Sequence, residues 1–210
     1  MKSIEEHNVA NEEKWSRRAL TFDRKRNGIF RYLQWELIRY ARIHSPCNFL
    51  DLGCGTGWAV RYVARRLDGQ GRFVGIDISK GMIEKARLQA VDVSNIEFYE
   101  ASAEQLPVQP AIFDVVICSN SFHHYLLPVI ALKEIVRVLR PGGKVYILDV
   151  TSDDFFVRWV DRSTRAREME HVKYYSSAEY RRMFTEAGIT HVVSSHLKIL
   201  YPLKVHVGTK

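Results

Sequence analysis

Residues 49–60 read Phe-Leu-Asp-Leu-Gly-Cys-Gly-Thr-Gly-Trp-Ala-Val, a buried-strand pattern that runs into three glycines spaced two apart and then into a helical pattern. Glycine lets the backbone leave a strand through conformations that other residues avoid, and it removes the side chains that would keep a ligand off the main chain. The helix that follows points its unpaired amide groups into the same gap. A parallel α/β core with a small molecule on this turn is the expectation. Because the spacing is Gly-x-Gly-x-Gly, with Asp51 two positions before Gly53, the turn differs by one residue from the dinucleotide fingerprint Gly-x-Gly-x-x-Gly.

A glycine triplet alone also serves a tight turn that binds nothing, so the next segment carries the argument. Residues 73–76 (Phe-Val-Gly-Ile) form a short apolar run ending at Asp77, 20 residues after Gly57, and are followed by Ile78, Ser79 and a helical stretch over residues 80–89. That offset suits a carboxylate at the tip of a second strand which accepts hydrogen bonds from a ribose. Ser79 is the expected N-cap of the helix, a role that leaves Asp77 for the ligand.

Four pieces in this order give the chain its resemblance: Asp-Leu-Gly-Cys-Gly-Thr-Gly at 51–57, Gly-Ile-Asp-Ile-Ser at 75–79, Phe-Asp-Val-Val-Ile-Cys-Ser-Asn at 113–120, and Leu-Arg-Pro-Gly-Gly-Lys at 139–144. Over about residues 49–187 it resembles the class I S-adenosylmethionine-dependent methyltransferases, in the branch of the ubiquinone and menaquinone biosynthesis enzymes. The resemblance implies a doubly wound, mostly parallel seven-stranded Rossmann-like sheet with a C-terminal antiparallel hairpin and an N-terminal helical lid. It also implies S-adenosyl-L-methionine as cofactor. Gly53, Gly55 and Gly57, together with Asp51, would line it, Asp77 would hold the ribose and Ile78 would cover one adenine face. The loop after strand 3 commonly reads Asp-Ala-Glu in such proteins; here it is Ser102-Ala103-Glu104, whose hydroxyl brings no charge to the adenine. Ser119 and Asn120, after strand 4, complete the expected cofactor set.

The remaining elements follow from periodicity. Helices are expected over residues 59–67, 129–139 and from a Ser176–Glu179 capping box to Gly188; strands over 96–101, 113–118, 144–150, 190–197 and 203–208. The whole chain of 210 residues reads as one domain: a lid over 1–46, a cofactor core over 47–150, a cap segment over 151–175 and a helix with hairpin over 176–210. Three cysteines without a Cys-x-x-Cys pair, and an N-terminus without a signal-peptide core, point to reduced thiols in the cytoplasm and to no metal site. No run of 18 apolar residues is available to span a bilayer.

The net charge of +7 is concentrated near the N-terminus, where Arg17, Arg18, Arg24, Lys25, Arg26, Arg31 and Arg39 alternate with Trp15, Phe22, Phe30, Tyr32, Trp35 and Tyr40. This is either a surface for an anionic partner, nucleic acid or lipid headgroups, or a pair of amphipathic helices whose apolar side covers the core. Leu33, Leu37, Tyr40 and Ala41 recur at helical spacing, which favours the helices, with Trp15, Phe22 and Tyr32 contributing to a lid.

Methyl transfer asks the protein for in-line positioning, exclusion of water and, where needed, removal of a proton. His123 and His124, just after strand 4, are the candidate bases; the bland alternative is that they start a helix and pack against the lid. The base-methylating motif Asn/Asp-Pro-Pro-Tyr is replaced by Ser-Asn-Ser-Phe at 119–122, and Cys118 lies in a buried strand, which argues against a nucleic-acid substrate. The expected partner is a small organic acceptor, with residues 155–175 over it. A nucleic-acid-modifying enzyme and a cofactor-binding module without catalysis are the alternatives; the acceptor atom and the oligomeric state stay open.

Overall fold

The computed structural model describes residues 4–25, 27–93, 95–168, 171–196 and 202–210. Helices α1 (Ile4–Lys25) and α2 (Asn27–Ala41) precede strand β1 (Phe49–Leu52), and the chain then alternates through α3 (Trp58–Arg66), β2 (Phe73–Asp77), α4 (Lys80–Leu88), β3 (Ile96–Glu100) and β4 (Phe113–Ser119). A single 3-10 turn, Phe122–His124, leads into α5 (Pro128–Val138) and β5 (Leu139–Val150), followed by α6 (Phe155–Arg167), α7 (Ser177–Glu186), β6 (Thr190–His196) and β7 (Leu203–Thr209). The seven strands are ordered β3-β2-β1-β4-β5-β7-β6, with β7 antiparallel to both neighbours and the rest parallel. This is the doubly wound sheet with the antiparallel C-terminal pair that the resemblance implies. Leu197, placed in strand 6 by the sequence, lies outside the described residues.

Alternation along β1 shows how the sheet builds two cores. Phe49 packs on one face with Leu37, Val60, Val63 and Ile83 from α2, α3 and α4, whereas Leu50 and Leu52 pack on the other with Leu132, Ile135, Tyr180 and Phe184 from α5 and α7. Strands covered on both faces are nearly all apolar for that reason. Leu33 and Leu37 are buried as their spacing required, Ala41 packs partly against the same cluster, and Tyr40 instead sits at the surface, edge-on to Tyr146. Tyr32 and Trp35 of the same aromatic run are likewise at the surface.

One boundary differs from the sequence reading. The ladder begins at Leu139, which pairs with Phe113, and resumes at Lys144 opposite Val115, so Pro141-Gly142-Gly143 forms an irregularity within the strand rather than a turn before it. Proline lacks the ladder donor, and Gly142 has a positive φ of 77°, so this stretch bulges away from β4, while on its other side the Gly142 amide donates to the Lys210 carbonyl at 3.1 Å and the Gly143 carbonyl accepts from the Lys210 amide at 3.0 Å.

The capping box is formed as read: the Ser176 hydroxyl accepts from the Glu179 amide at 3.3 Å, and the Glu179 carboxylate accepts from the Ser176 amide at 2.9 Å. Ser176→Ala should lower the stability of the protein by about 1 kcal/mol, read as a downward shift in the thermal midpoint with an unchanged circular dichroism spectrum below it.

Candidate active site

The glycine turn is held open by its own geometry. Gly53, Gly55 and Gly57 all have positive φ, and a Cβ on Gly53 would approach the Ser121 hydroxyl oxygen to 2.1 Å, whereas one on Gly55 would meet nothing within 4 Å. Gly53 therefore answers to packing, and Gly55 faces empty space. That space is a cleft of about 1030 Å³, counted with its mouth, at the carboxyl ends of β1, β2 and β4. Ligands bind in this crevice in open α/β sheets.

Most of the residues singled out in the sequence meet there. Gly53, Gly55, Asp77, Ile78, Ser102, Ala103, Ser119, Asn120 and His124 line the cleft, joined by Trp15, Phe22 and Phe30 from the two N-terminal helices. Asp51, Gly57 and His123 lie outside the lining, and Tyr32 is turned outward, stacked on Trp35. Among the described residues none from 151–175 lines it, and Phe155, Phe156 and Trp159 on α6 are 80%, 65% and 62% exposed. The aromatic residues of that helix are thus not a cap on the cleft. Sequence reasoning missed Asn8, Asn11 and Gln34, which α1 and α2 bring to the cleft, and it read Arg31 only as part of the basic run. Two buried polar atoms among these residues, Arg31 Nε and Asn11 Oδ1, have no hydrogen-bond partner, and such groups ordinarily have one.

Residues 50–147 match the sequence pattern of the family described as "Methyltransferase domain". In this segment the chain is similar to a methyltransferase domain. The methyltransferase YcgJ of Bacillus subtilis is 28% identical over 153 residues, covering 71% of this chain and 59% of that protein. The demethylmenaquinone methyltransferase of Lactococcus lactis is 33% identical over 134 residues, 60% of this chain and 53% of its own length. The chain thus spans little more than half of these curated relatives. Among solved structures, a chain from the complex of the Haloferax volcanii Trm112 methyltransferase activator with a methyltransferase superposes with a TM-score of 0.75 at 23% identity, covering 93% of this chain and 97% of that one. The methyltransferase from Aquifex aeolicus gives 0.70 at 17%, covering 92% and 97%. At such identities the likeness is one of fold.

The cofactor of a methyltransferase domain of this kind is S-adenosylmethionine, and the residues fit it. The open space over Gly55, the carboxylate of Asp77 and the unpartnered Arg31 Nε and Asn11 Oδ1 offer a close backbone approach, an acceptor for hydroxyls and two polar groups in want of partners. Asp77 also holds the turn: its Oδ2 accepts from the Gly55 amide at 2.8 Å and its Oδ1 from the Ser79 amide at 2.9 Å. Burial raises its pKa, and these two amides pull it back. Each oxygen keeps a second lone pair. Ser102 turns its hydroxyl to the Glu104 carboxylate instead.

The 3-10 turn after β4 is fastened on both sides. The His124 carbonyl accepts from His7 Nε2 of α1 at 2.8 Å, while the His123 amide and ring Nδ1 both donate to the buried Asp149, at 3.0 and 2.8 Å. Burial, and then the neighbouring charges of His123, Lys14, His171 and His7, hold the His124 imidazole well below its usual pKa, so it is neutral near pH 7. His171, from the segment after α6, joins the pair: its ring centroid lies 5.4 Å from that of His123. Nothing in the sequence spacing places it there. The Cys118 thiol is buried and pushed far up by desolvation, the state of a core thiol rather than a nucleophile.

Asp51 sits beneath the turn with neither carboxylate oxygen hydrogen-bonded, and burial, reinforced by the charge on Asp77, pushes its pKa up to about 8. Folding therefore retains a proton that the unfolded chain releases near its ordinary value of about 4. The penalty is absent below about pH 4, grows as pH rises towards 8 and is complete above it. Asp51→Asn removes this term. Denaturant titrations without ligand should show the variant gaining on the wild type steadily between pH 5 and 8; a gap independent of pH would place the Asp51 titration elsewhere.

Proposed function

We propose that the protein transfers the methyl group of S-adenosylmethionine to a small organic acceptor held in the cleft beside His124. One observation carries this: the cleft joins the glycine turn and Asp77 to the loop after β4 under a roof of Trp15, Phe22 and Phe30. A cleft with an apolar roof and a few convergent polar groups is the usual form of a small-molecule site. The name of the relatives called demethylmenaquinone methyltransferase supports an organic acceptor rather than a nucleic acid. The N-terminal helices also bear on the nucleic-acid alternative, since Leu33, Leu37 and Ile38 are spent on the core and Trp15, Phe22, Phe30 and Arg31 on the cleft.

In this reading Gly53 borders the cofactor and the backbone at Gly55 allows its close approach, Asp77 accepts from the ribose hydroxyls, Ile78 and Ala103 flank the adenine, and Ser119 and Asn120 border the end towards the acceptor. Arg31 Nε, buried without a partner, pairs with the carboxylate of the methionine portion. When bound, the cofactor supplies an activated methyl on a positively charged sulfur, so the chain's own task is placement and exclusion of water. Asn11, Trp15 and Tyr125 enclose the acceptor side, and the neutral imidazole of His124 meets the acceptor there. His123, outside the cleft, acts by positioning: its bonds to Asp149 set the turn that presents His124.

Calorimetry with S-adenosylmethionine should show Asp77→Ala weakening binding by roughly 1.5 to 3 kcal/mol, the cost of a hydrogen-bonding charge, with the fold retained. Gly55→Val should bind less still, since its side chain would enter the cleft and oppose a φ of 53°. Unchanged binding in a folded Asp77→Ala protein would remove this residue from the cofactor site.

Incubation of cell extract with the protein and cofactor labelled at the methyl group should move label into the small-molecule fraction in proportion to enzyme. Label confined to nucleic acid, with binding weakened by salt, would instead support the base-modifying alternative, and cofactor binding without transfer would support a binding module.

A further inference from the structure

We propose that His123, His124 and His171 form a three-imidazole site for a divalent transition-metal ion, zinc being the best match, at the acceptor end of the cleft. One ring nitrogen from each of the three lies within 4.8 Å of the other two. A tetrahedral ion with zinc–nitrogen bonds of about 2.0–2.1 Å separates its ligands by about 3.4 Å, so the rings need only close around it through small side-chain rotations. The backbone supports that approach: the His123 carbonyl accepts from the Val172 amide at 3.0 Å, which pins the His171 segment against the 3-10 turn.

The stronger argument lies behind the rings. His123 Nδ1 bonds Asp149 at 2.8 Å, and His171 Nε2 bonds Asp161 at 2.8 Å. Both carboxylates are buried. Each bond fixes a tautomer and leaves the opposite ring nitrogen, Nε2 of His123 and Nδ1 of His171, to face an ion. A carboxylate behind a ligating imidazole is the common outer arrangement of protein metal sites, where it orients the ring and raises its basicity. Asp161 is itself held in place, accepting from the Tyr174 amide at 2.7 Å and pairing with Arg165 at 2.9 Å. The nearby ammonium of Lys14 is paired with Glu168 at 2.8 Å. Rings packed only for their apolar faces have no need of two buried carboxylates.

The ligand set selects the ion. Three imidazoles suit zinc, cobalt, nickel or copper, whereas magnesium and calcium require oxygen ligands. With three protein ligands, a fourth position stays open, the pattern of reactive rather than structural sites. His124 is the member that lines the cleft, so the open position belongs on that side. This deepens the functional reading above and rests on it for one consequence only: an acceptor hydroxyl bound to the ion would release its proton more readily to water at the mouth of the cleft, and its oxygen would form the bond to the methyl carbon as the carbon–sulfur bond breaks, leaving the neutral thioether.

The test uses the full chain without an affinity tag, stripped with chelator and titrated with cobalt(II) in the absence of cofactor and acceptor. We expect one equivalent to bind, with the intense visible bands of four-coordinate cobalt, and zinc to displace it. His171→Ala and His124→Ala should each lower cobalt affinity at least 100-fold, and Asp161→Asn about 10- to 100-fold. His191→Ala, a change on the exposed β6, should leave it intact. Absence of stoichiometric binding, or cobalt spectra unaltered in folded His171→Ala and His124→Ala proteins, overturns the site. Calorimetry with S-adenosylmethionine on the same samples separates the two readings: cofactor binding without cobalt refutes the metal site alone, and cobalt binding without cofactor refutes the proposed function alone.

Discussion

The carboxylate of Asp77 is the joint on which the site depends. By accepting from the amides of Gly55 and Ser79 it ties the end of β1, the tip of β2 and the start of α4 into one rigid edge. Ser79 then caps α4 by accepting from the Met82 amide, and its hydroxyl meets that of Ser16 from α1 at 2.9 Å. Ser16 accepts in turn from the Gly81 amide at 3.0 Å, an approach that a side chain at 81 would crowd, since a Cβ there would lie 3.1 Å from the Ser16 backbone. The lid helix is therefore seated on the same hydrogen-bond chain that shapes the cofactor turn.

That coupling gives the cleft its mixed character. Its floor is backbone and small residues, fixed by strand register and left-handed glycines. Its roof is aromatic and comes from helices outside the sheet. The floor is thus held by main-chain hydrogen bonds, and the roof by side-chain packing and a few polar contacts. Arg31 Nε and Asn11 Oδ1, the unpartnered buried atoms lining the cleft, both belong to the roof.

The histidine cluster shows how a sheet edge collects chemistry from distant segments. His123 and His124 are neighbours in sequence, but the carboxylate behind His123 is supplied by β5, and His171 with its own carboxylate by the segment around α6. Asp149 is fully buried and bonded to both the amide and the ring of His123. These hydrogen bonds offset the burial of the carboxylate and hold the turn in one orientation.

Much of this was readable from residues alone because it is local. The glycine spacing, the acid at the tip of strand 2, the Ser79 cap, the Ser176–Glu179 box and the alternation of strands and helices each depend on neighbours within a few positions, where backbone conformation and periodicity are decided. The order of the elements then constrained the sheet, since parallel strands joined by helices have few ways to wind. Other features depended on where separate segments met. Sequence could not show that Gly57 and Asp51 lie off the cleft while Asn11 and Arg31 reach it, that the aromatic residues of α6 turn outward, that Pro141-Gly142-Gly143 bulges within a strand, or that His171 joins His123 and His124. Each of these is settled by side-chain direction and long-range packing, which no short window of residues contains.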